Sequence, residues 1–205
     1  MPLNKEKALR STGMLGIQRW MGGAVSTITG TVSNGITLGQ AGYTSPLRIT
    51  PTGVVSNSSG AAVYASGTYA NPSIINQGTI RATDGFDAIK LKDGGSVANN
   101  TKGALIQGYT GVDISGAAGV VTNSGTIAGT GTYGGGVLLE AGGSVQNSGF
   151  IQGGPALVVY SYGYKFHVGG AVTVEGGAGT VSNSGTIRRD GVRQRRLPRL
   201  GRQRR

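Results

Sequence analysis

Few side chains in this sequence combine the type and the spacing that a reaction or a metal ion requires. Asp84 and Asp87, in the segment ATDGFDAI, are the one close pair of carboxylates in the middle of the chain. Such a pair can flank a substrate or bind Ca²⁺ through oxygen ligands, but it can equally lie on a solvated turn. An enzyme acting on polysaccharides would need a charged cleft, so Arg81, Lys90 and Asp113 would have to join the pair there.

The sequence contains few residues that could act as nucleophiles or bind a metal through histidine or cysteine. His167 is the only histidine and there is no cysteine, which excludes disulfides and metal sites built from cysteine or from several histidines. A lone histidine with no assignable serine beside it does not make a nucleophilic arrangement. The Gly-rich nonapeptide that binds calcium is also missing. We therefore predict no catalytic, cofactor-binding or metal-binding residues, and no enzyme.

The most aromatic stretch is YSYGYKFHV at 160–168. Tyr160, Tyr162, Tyr164 and Phe166 recur at a spacing of two, as residues on one face of a strand do. Loops that protrude from a rigid scaffold often carry recognition, and aromatic rings can stack on sugars or contact a protein. We predict a candidate recognition loop here. The alternative is a short hairpin whose aromatic side chains merely cover the scaffold.

The elements that must position these residues are copies of one motif. VTNSGTI at 121–127, VQNSGFI at 145–151 and VSNSGTI at 181–187 are nearly identical, and IINQGTI at 74–80 fits the same template. Looser copies place the motif's asparagine at Asn34 and Asn57 as well. The asparagines are mostly 23 or 24 residues apart, and the last interval contains an insertion of about 12 residues. Self-similarity at such a period is typical of solenoids.

Each repeat predicts three short strands separated by turns. Alternating segments such as GVDISGAAGVV at 111–121 place apolar residues two apart, and in the motif Val121 and Ile127 should point inward while Thr122 and Thr126 point outward. No repeat can bury its apolar side chains alone, so the repeats must stack. We predict an all-β, right-handed parallel β-helix of about six to seven coils, each of roughly 23–24 residues.

The motif's asparagines are interpreted as structural. Asparagine tolerates the positive φ that a sharp bend often needs, and stacked bends bring identical amides about 4.8 Å apart. Each amide can then donate to the next, which forms a ladder along the axis. The predicted ladder consists of Asn76, Asn99, Asn123, Asn147 and Asn183.

Composition and charge divide the chain into three segments. Glycine supplies 40 of 205 residues and only 13% are charged, which argues against a highly charged helical bundle. Residues 188–205 hold nine arginines and one aspartate, whereas residues 21–187 hold six basic and six acidic residues. We predict an irregular segment at 1–23, the β-helix at 24–187 and a basic, disordered tail at 188–205. The tail departs so sharply from the repeat that a shifted reading frame is one explanation for it.

The copies of VxNSGTIxG, followed by GVxLxxGGxVxN, resemble the passenger domains of bacterial autotransporters (type V secretion) and related exported β-helix adhesins. The resemblance covers about residues 24–187. It implies a location outside a Gram-negative cell or on its outer-membrane surface, and partners that are host or cell-surface proteins or glycans. It also implies that this chain is a fragment, since such proteins carry a secretion signal and a C-terminal membrane barrel, and neither pattern is visible here.

The sequence leaves three hypotheses about function. The favoured one is a non-enzymatic, surface-displayed or secreted β-helix used in adhesion or as a structural stalk. The second is an enzyme that acts on polysaccharides, built on the same fold. The third is nucleic-acid binding through the Arg-rich tail; nucleic acid is not an expected partner of the neutral body.

Overall fold

The computed structural model describes the backbone of residues 17–18, 25–155, 157–161, 164–168 and 170–190, and the side chains of 25–155 and 170–190. The basic residues beyond Asp190 lie outside the described residues. Every regular element that the structure describes is a β-strand. The described residues contain no helix with the length and apolar character of a membrane span.

The strands wind into a parallel β-solenoid, which confirms the predicted fold class. Successive strands pass to a first, a second and a third sheet in turn, and each pairs in parallel with its equivalents one coil before and one coil after. The first sheet contains β1 (Ile17–Gln18), β2 (Ser26–Ile28), β5 (Leu47–Ile49), β8 (Ser73–Asn76), β11 (Gly95–Asn99), β14 (Gly119–Asn123), β17 (Gly143–Asn147) and β22 (Gly179–Asn183).

The other two sheets complete each coil. The second contains β3 (Thr31–Val32), β6 (Val54–Asn57), β9 (Thr79–Ala82), β12 (Leu105–Gly108), β15 (Thr126–Gly129), β18 (Phe150–Gly153) and β23 (Thr186–Arg189). The third contains β4 (Ile36–Thr37), β7 (Val63–Ala65), β10 (Ile89–Leu91), β13 (Val112–Ile114), β16 (Val137–Leu139) and β21 (Val172–Val174).

The number of full coils is slightly lower than the six to seven predicted. Five coils have three strands of at least three residues each, from β5 to β21. The first coil has two-residue strands on two sides, and the last consists of β22 and β23 alone among the described residues. β23 continues through Arg189, so the first two residues of the predicted tail, Arg188 and Arg189, belong to the last strand. The antiparallel pairing of β1 with β2 covers the opposite end of the first sheet.

The core is a set of apolar rows that run along the axis. Val121 and Ile127 are fully buried while Thr122 and Thr126 are half-buried, as the alternation predicts. Val121 lies between Val97 and Val145, its register partners in the neighbouring coils. Burying a side chain of this size stabilises the fold by about 1.5–3 kcal/mol, and no single coil could bury these rows by itself.

The insertion in the sixth coil is an antiparallel hairpin of β19 (Leu157–Ser161) and β20 (Tyr164–Val168). Tyr160 lies in β19, whereas Tyr164 and Phe166 lie in β20. The backbone therefore forms the short hairpin that is the alternative to a recognition loop, and the residues at a spacing of two do not share one strand because the chain reverses between them. Tyr162 lies outside the described residues, and a role of this segment in recognition stays a prediction.

Candidate functional site

Side-chain amides form a continuous chain of hydrogen bonds through the last five coils. The Nδ2 atom of each asparagine donates to the Oδ1 atom of the next, over 2.8 Å from Asn76 to Asn99, from Asn99 to Asn123 and from Asn123 to Asn147, and over 2.7 Å from Asn147 to Asn183. Asn76, Asn99, Asn123 and Asn147 are buried. Together with Asn183, they are the five asparagines that the sequence predicts to form a ladder.

Each ladder amide also holds its own turn. Asn123 Nδ2 donates to the carbonyl oxygens of Gly125, at 3.1 Å, and Phe150, at 3.2 Å, and the Gly125 backbone N–H donates to Asn123 Oδ1 at 3.2 Å. The ladder therefore satisfies buried polar groups both within one turn and between coils, which is what a buried amide needs in order not to destabilise the core.

Two details of the predicted asparagine motif are wrong. None of the five ladder asparagines is among the described residues with positive φ, so the bend does not depend on their tolerance of that region. Gly125 is needed for close approach instead, since a Cβ there would lie 2.4 Å from the Ala104 carbonyl oxygen. The looser copies do not continue the ladder, because Ile49 is the register partner of Asn76 and Asn57 lies in the second sheet opposite Ala82.

Three of the five charged residues singled out in the sequence meet on the third sheet. Lys90 and Asp113 are register partners on β10 and β13, and the Lys90 ammonium contacts both Asp113 Oδ2 and, at 3.0 Å, Asp87 Oδ2. Asp87 Oδ1 accepts from the Thr110 backbone N–H at 3.1 Å. The cluster thus ties the third coil to the fourth.

Burial and charge act in opposite directions on Lys90. Burial of the ammonium lowers the pKa, but the hydrogen bonds from Lys90 to Asp113 and Asp87 outweigh it, so the pKa of Lys90 is raised above its ordinary value. Asp113 is only 4% exposed, and its Oδ1 atom is buried with no hydrogen-bond partner. Removing Lys90 would leave this carboxylate uncompensated.

Asp84 and Arg81 do not join that ion-pair cluster in any described contact. Asp84 lies in an exposed turn with a φ of 55°, and its Oδ2 atom accepts from the Thr83 hydroxyl at 3.3 Å. Arg81 is exposed on the second sheet. Within the described ranges, no group of three or more His, Cys, Asp and Glu residues could hold a metal ion. The single cleft containing all five charges, which would have indicated an enzyme, is not formed.

The connections between the second and third sheets form one corner of the solenoid, which we call the loop corner. It consists of residues 33–35, 58–62, 83–88, 109–111, 130–136 and 154–171. These connections differ in length, and the longest contains the β19–β20 hairpin. They are stacked directly: the Tyr109 backbone N–H donates to the Phe86 carbonyl oxygen at 2.7 Å, and that of Gly131 donates to the Tyr109 carbonyl oxygen at 3.1 Å. Side chains that vary between coils are therefore displayed side by side.

At the corner between the first and second sheets, the connections of the last three coils are two-residue Ser-Gly turns without charge, whereas the connection 100–104 is longer and contains the exposed Lys102. Thr122, Gln146 and Ser182 lie beside the turn serines Ser124 and Ser148 in a shallow groove with a volume of about 280 Å³. The Ser148 hydroxyl donates to the Ser124 hydroxyl at 3.3 Å. The groove offers only neutral donors and acceptors.

Comparisons of the chain with family models, with curated proteins and with solved structures gave no match.

Proposed function

We propose that this chain is a non-enzymatic β-solenoid segment that is displayed on, or released from, a bacterial outer-membrane surface, where it serves as an adhesive or structural stalk of the type V secretion passenger kind. The observation that carries the proposal is the amide ladder. Four consecutive side-chain hydrogen bonds between Asn76 and Asn183 add to the backbone ladders of three sheets, and all of them run along one axis.

The physical consequence of that ladder is resistance to bending and slipping. Bending the rod at a coil boundary between Asn76 and Asn147 would lengthen an amide hydrogen bond and leave a buried polar group unpaired, which costs about 1–3 kcal/mol. Sliding one strand by one residue would move its apolar side chains to the outer face. A stalk must keep its length and direction under load, and this construction supplies both.

The surface supports display better than catalysis. Asp87, Lys90 and Asp113 are paired with one another in the described ion pairs. The groove beside the Ser-Gly turns is lined by neutral residues. The loop corner, by contrast, collects residues that differ from coil to coil on a constant scaffold, which is how rigid folds commonly carry recognition. The motif copies that resemble exported passengers point in the same direction.

Surface location is tested on intact cells of the source organism. Antibody raised against the solenoid should label unpermeabilised cells, or detect the protein in the culture medium, and externally added protease should remove the cell-bound signal. A cytoplasmic protein should remain protected in the same sample. Signal that appears only after lysis would reject the proposed location, and unchanged attachment of a deletion strain to surfaces would reject the adhesive role.

A polysaccharide-acting enzyme is the second candidate, and the Lys90 cluster is the observation that favours it. A buried carboxylate with one unpartnered oxygen beside a lysine is an arrangement found at reactive sites. The purified chain should then release reducing ends or unsaturated products from an acidic polysaccharide such as polygalacturonate, and Asp113→Asn should abolish the release. No release by the unaltered chain would leave the stalk as the sole proposal.

A further inference from the structure

The loop corner carries one aromatic side chain in each of three consecutive coils. Phe86 is 38% exposed and Tyr133 is 46% exposed, and Tyr109 lies half-buried in the connection between theirs. Backbone hydrogen bonds stack the connection of Phe86 on that of Tyr109, and the connection of Tyr109 on the one that contains Tyr133. The three side chains therefore lie on three successive levels of the loop corner, and we call them the aromatic row; Tyr133 lies in the turn 131–134 of the longest of the three connections.

The middle ring of this row is held in place. A Cβ on Gly131 would lie 2.2 Å from the Tyr109 ring carbon Cδ2, so the ring packs directly on the bare backbone of the next coil. Only glycine leaves that space. The backbone hydrogen bonds from Tyr109 to Phe86 and from Gly131 to Tyr109 hold the three connections against one another. An aromatic surface that is already ordered loses little conformational entropy when a ligand binds.

The described charges around the aromatic row nearly balance. At and beside the corner the described charged residues are Asp84, Asp87 and Asp113 against Arg81 and Lys90, which is a net charge of −1. Lys90 is already paired with two of the aspartates. A long polyanion therefore gains little electrostatic attraction from the aromatic row, whereas a neutral ligand is not disfavoured.

Asp84 supplies the polar group that an aromatic platform needs for specificity. It is exposed and lies two residues before Phe86 in the same connection. An ionised carboxylate accepts hydrogen bonds only, which suits a ligand rich in hydroxyl donors. Aromatic rings pack against the C–H faces of sugars, and a carboxylate beside them accepts from the hydroxyl groups at the sugar's edge.

We propose that Phe86, Tyr109 and Tyr133 form a binding platform for a neutral, linear glycan that lies parallel to the solenoid axis, with Asp84 accepting hydrogen bonds from its hydroxyl groups. A surface that repeats once per coil, about every 4.8 Å, matches a polymer whose units repeat along its length. The proposal rests on the proposed adhesive function and names the class of ligand for it.

The test measures binding of the full chain to soluble glycans by calorimetry at low and high salt. The neutral probes are cellohexaose, chitohexaose, xylohexaose and maltohexaose, and polygalacturonate is the acidic one. We expect at least one neutral probe to bind, with little dependence on salt. The double variant Phe86→Ala/Tyr133→Ala should weaken that binding about tenfold, and Asp84→Asn should weaken it severalfold. Both side chains are exposed, so thermal unfolding of the double variant should match that of the parent.

Val120→Ala is the matched control, because Val120 is also 46% exposed but lies on the first sheet; it should bind as the parent does. Binding to none of the neutral probes, binding that survives the double variant, or binding to polygalacturonate alone that high salt abolishes would each overturn the platform. Surface labelling of cells is independent of these results, so a displayed protein that binds no glycan would reject the platform and retain the stalk.

Discussion

Replacing Asn123 with alanine tests whether the amide ladder holds the coils together. The substitution removes the hydrogen bonds that Asn123 makes to Asn99 and Asn147, both 2.8 Å long, and the one that the Gly125 backbone N–H donates to it. Asn99 Nδ2 keeps two carbonyl acceptors, from Ala104 and Thr126. Asn147 Oδ1 and the Gly125 N–H lose the hydrogen bonds just named.

The magnitude follows from those two groups. A buried polar atom left without its partner costs about 1–3 kcal/mol, and the small cavity left by the side chain adds to it. Water can reach neither site easily, since Asn123 is 2% and Asn147 is 1% exposed. We expect Asn123→Ala to lower the free energy of unfolding by about 2–4 kcal/mol, measured by urea unfolding followed by circular dichroism.

Asn183→Ala is the matched control at the end of the same ladder. Asn183 accepts one hydrogen bond from Asn147 at 2.7 Å, but it is exposed, so water can replace the missing partner. Its loss should cost about 0.5–1 kcal/mol. Equal effects of the two substitutions, or an unchanged midpoint for Asn123→Ala, would refute the inference that the buried ladder stabilises the stack.

Four further outcomes are expected. Lys90→Met should lower the free energy of unfolding by about 2–4 kcal/mol, because it leaves the Asp113 carboxylate uncompensated. The control Lys92→Met should have almost no effect. The double variant Lys90→Met/Asp113→Asn should recover most of the lost stability, and a failure to recover it would exclude a charge effect. The pKa of Lys90 in the folded protein is raised. Its contribution to the free energy of unfolding is therefore complete below the ordinary lysine pKa and is lost only as pH rises through the folded value. The loss of stability caused by Lys90→Met should consequently be the same in urea titrations at every pH across the neutral range. Gly125→Ala should cost about 1–3 kcal/mol by forcing the coils apart, and a neutral result would contradict the close approach. Deleting residues 188–205 should abolish any salt-sensitive binding to DNA, and binding that persists would assign it to the solenoid.

The sequence predicts the parts of this fold that recur unchanged. Copies of one motif at a constant interval place Asn123 and Asn147 at the same phase of successive coils, so their pairing follows from counting. The first coils break the rule because a short match such as VSN does not identify its sheet. At Asn57 the same letters occur on the second sheet, and the ladder position of that coil is held by Ile49.

The residues that meet at sites were harder to predict, although the repeat contained the signal. Lys90 and Asp113 are 23 residues apart, one coil interval, and so they become neighbours on the third sheet. Phe86 and Tyr109 follow the same interval. Reading along the chain directs attention to residues that are close in sequence, such as Asp84 and Asp87, whereas in a solenoid the neighbours that matter are one coil away.

The buried ladder stabilises the stacking of the coils, whereas the loop corner displays side chains that differ between coils. Substitutions in one can therefore be made without changing the other. The apolar rows determine which face of each strand points inward, because a slip of one residue would expose Val97, Val121 and Val145. The asparagines add a second requirement, since a displaced strand would also leave a buried amide without its acceptor. Once the interior fixes the stacking, the connections between the second and third sheets can differ in length, from three residues at 109–111 to the whole hairpin at 154–171, without disturbing the core. A stalk that also recognises a ligand needs this separation, because its binding surface must vary while its axis stays straight.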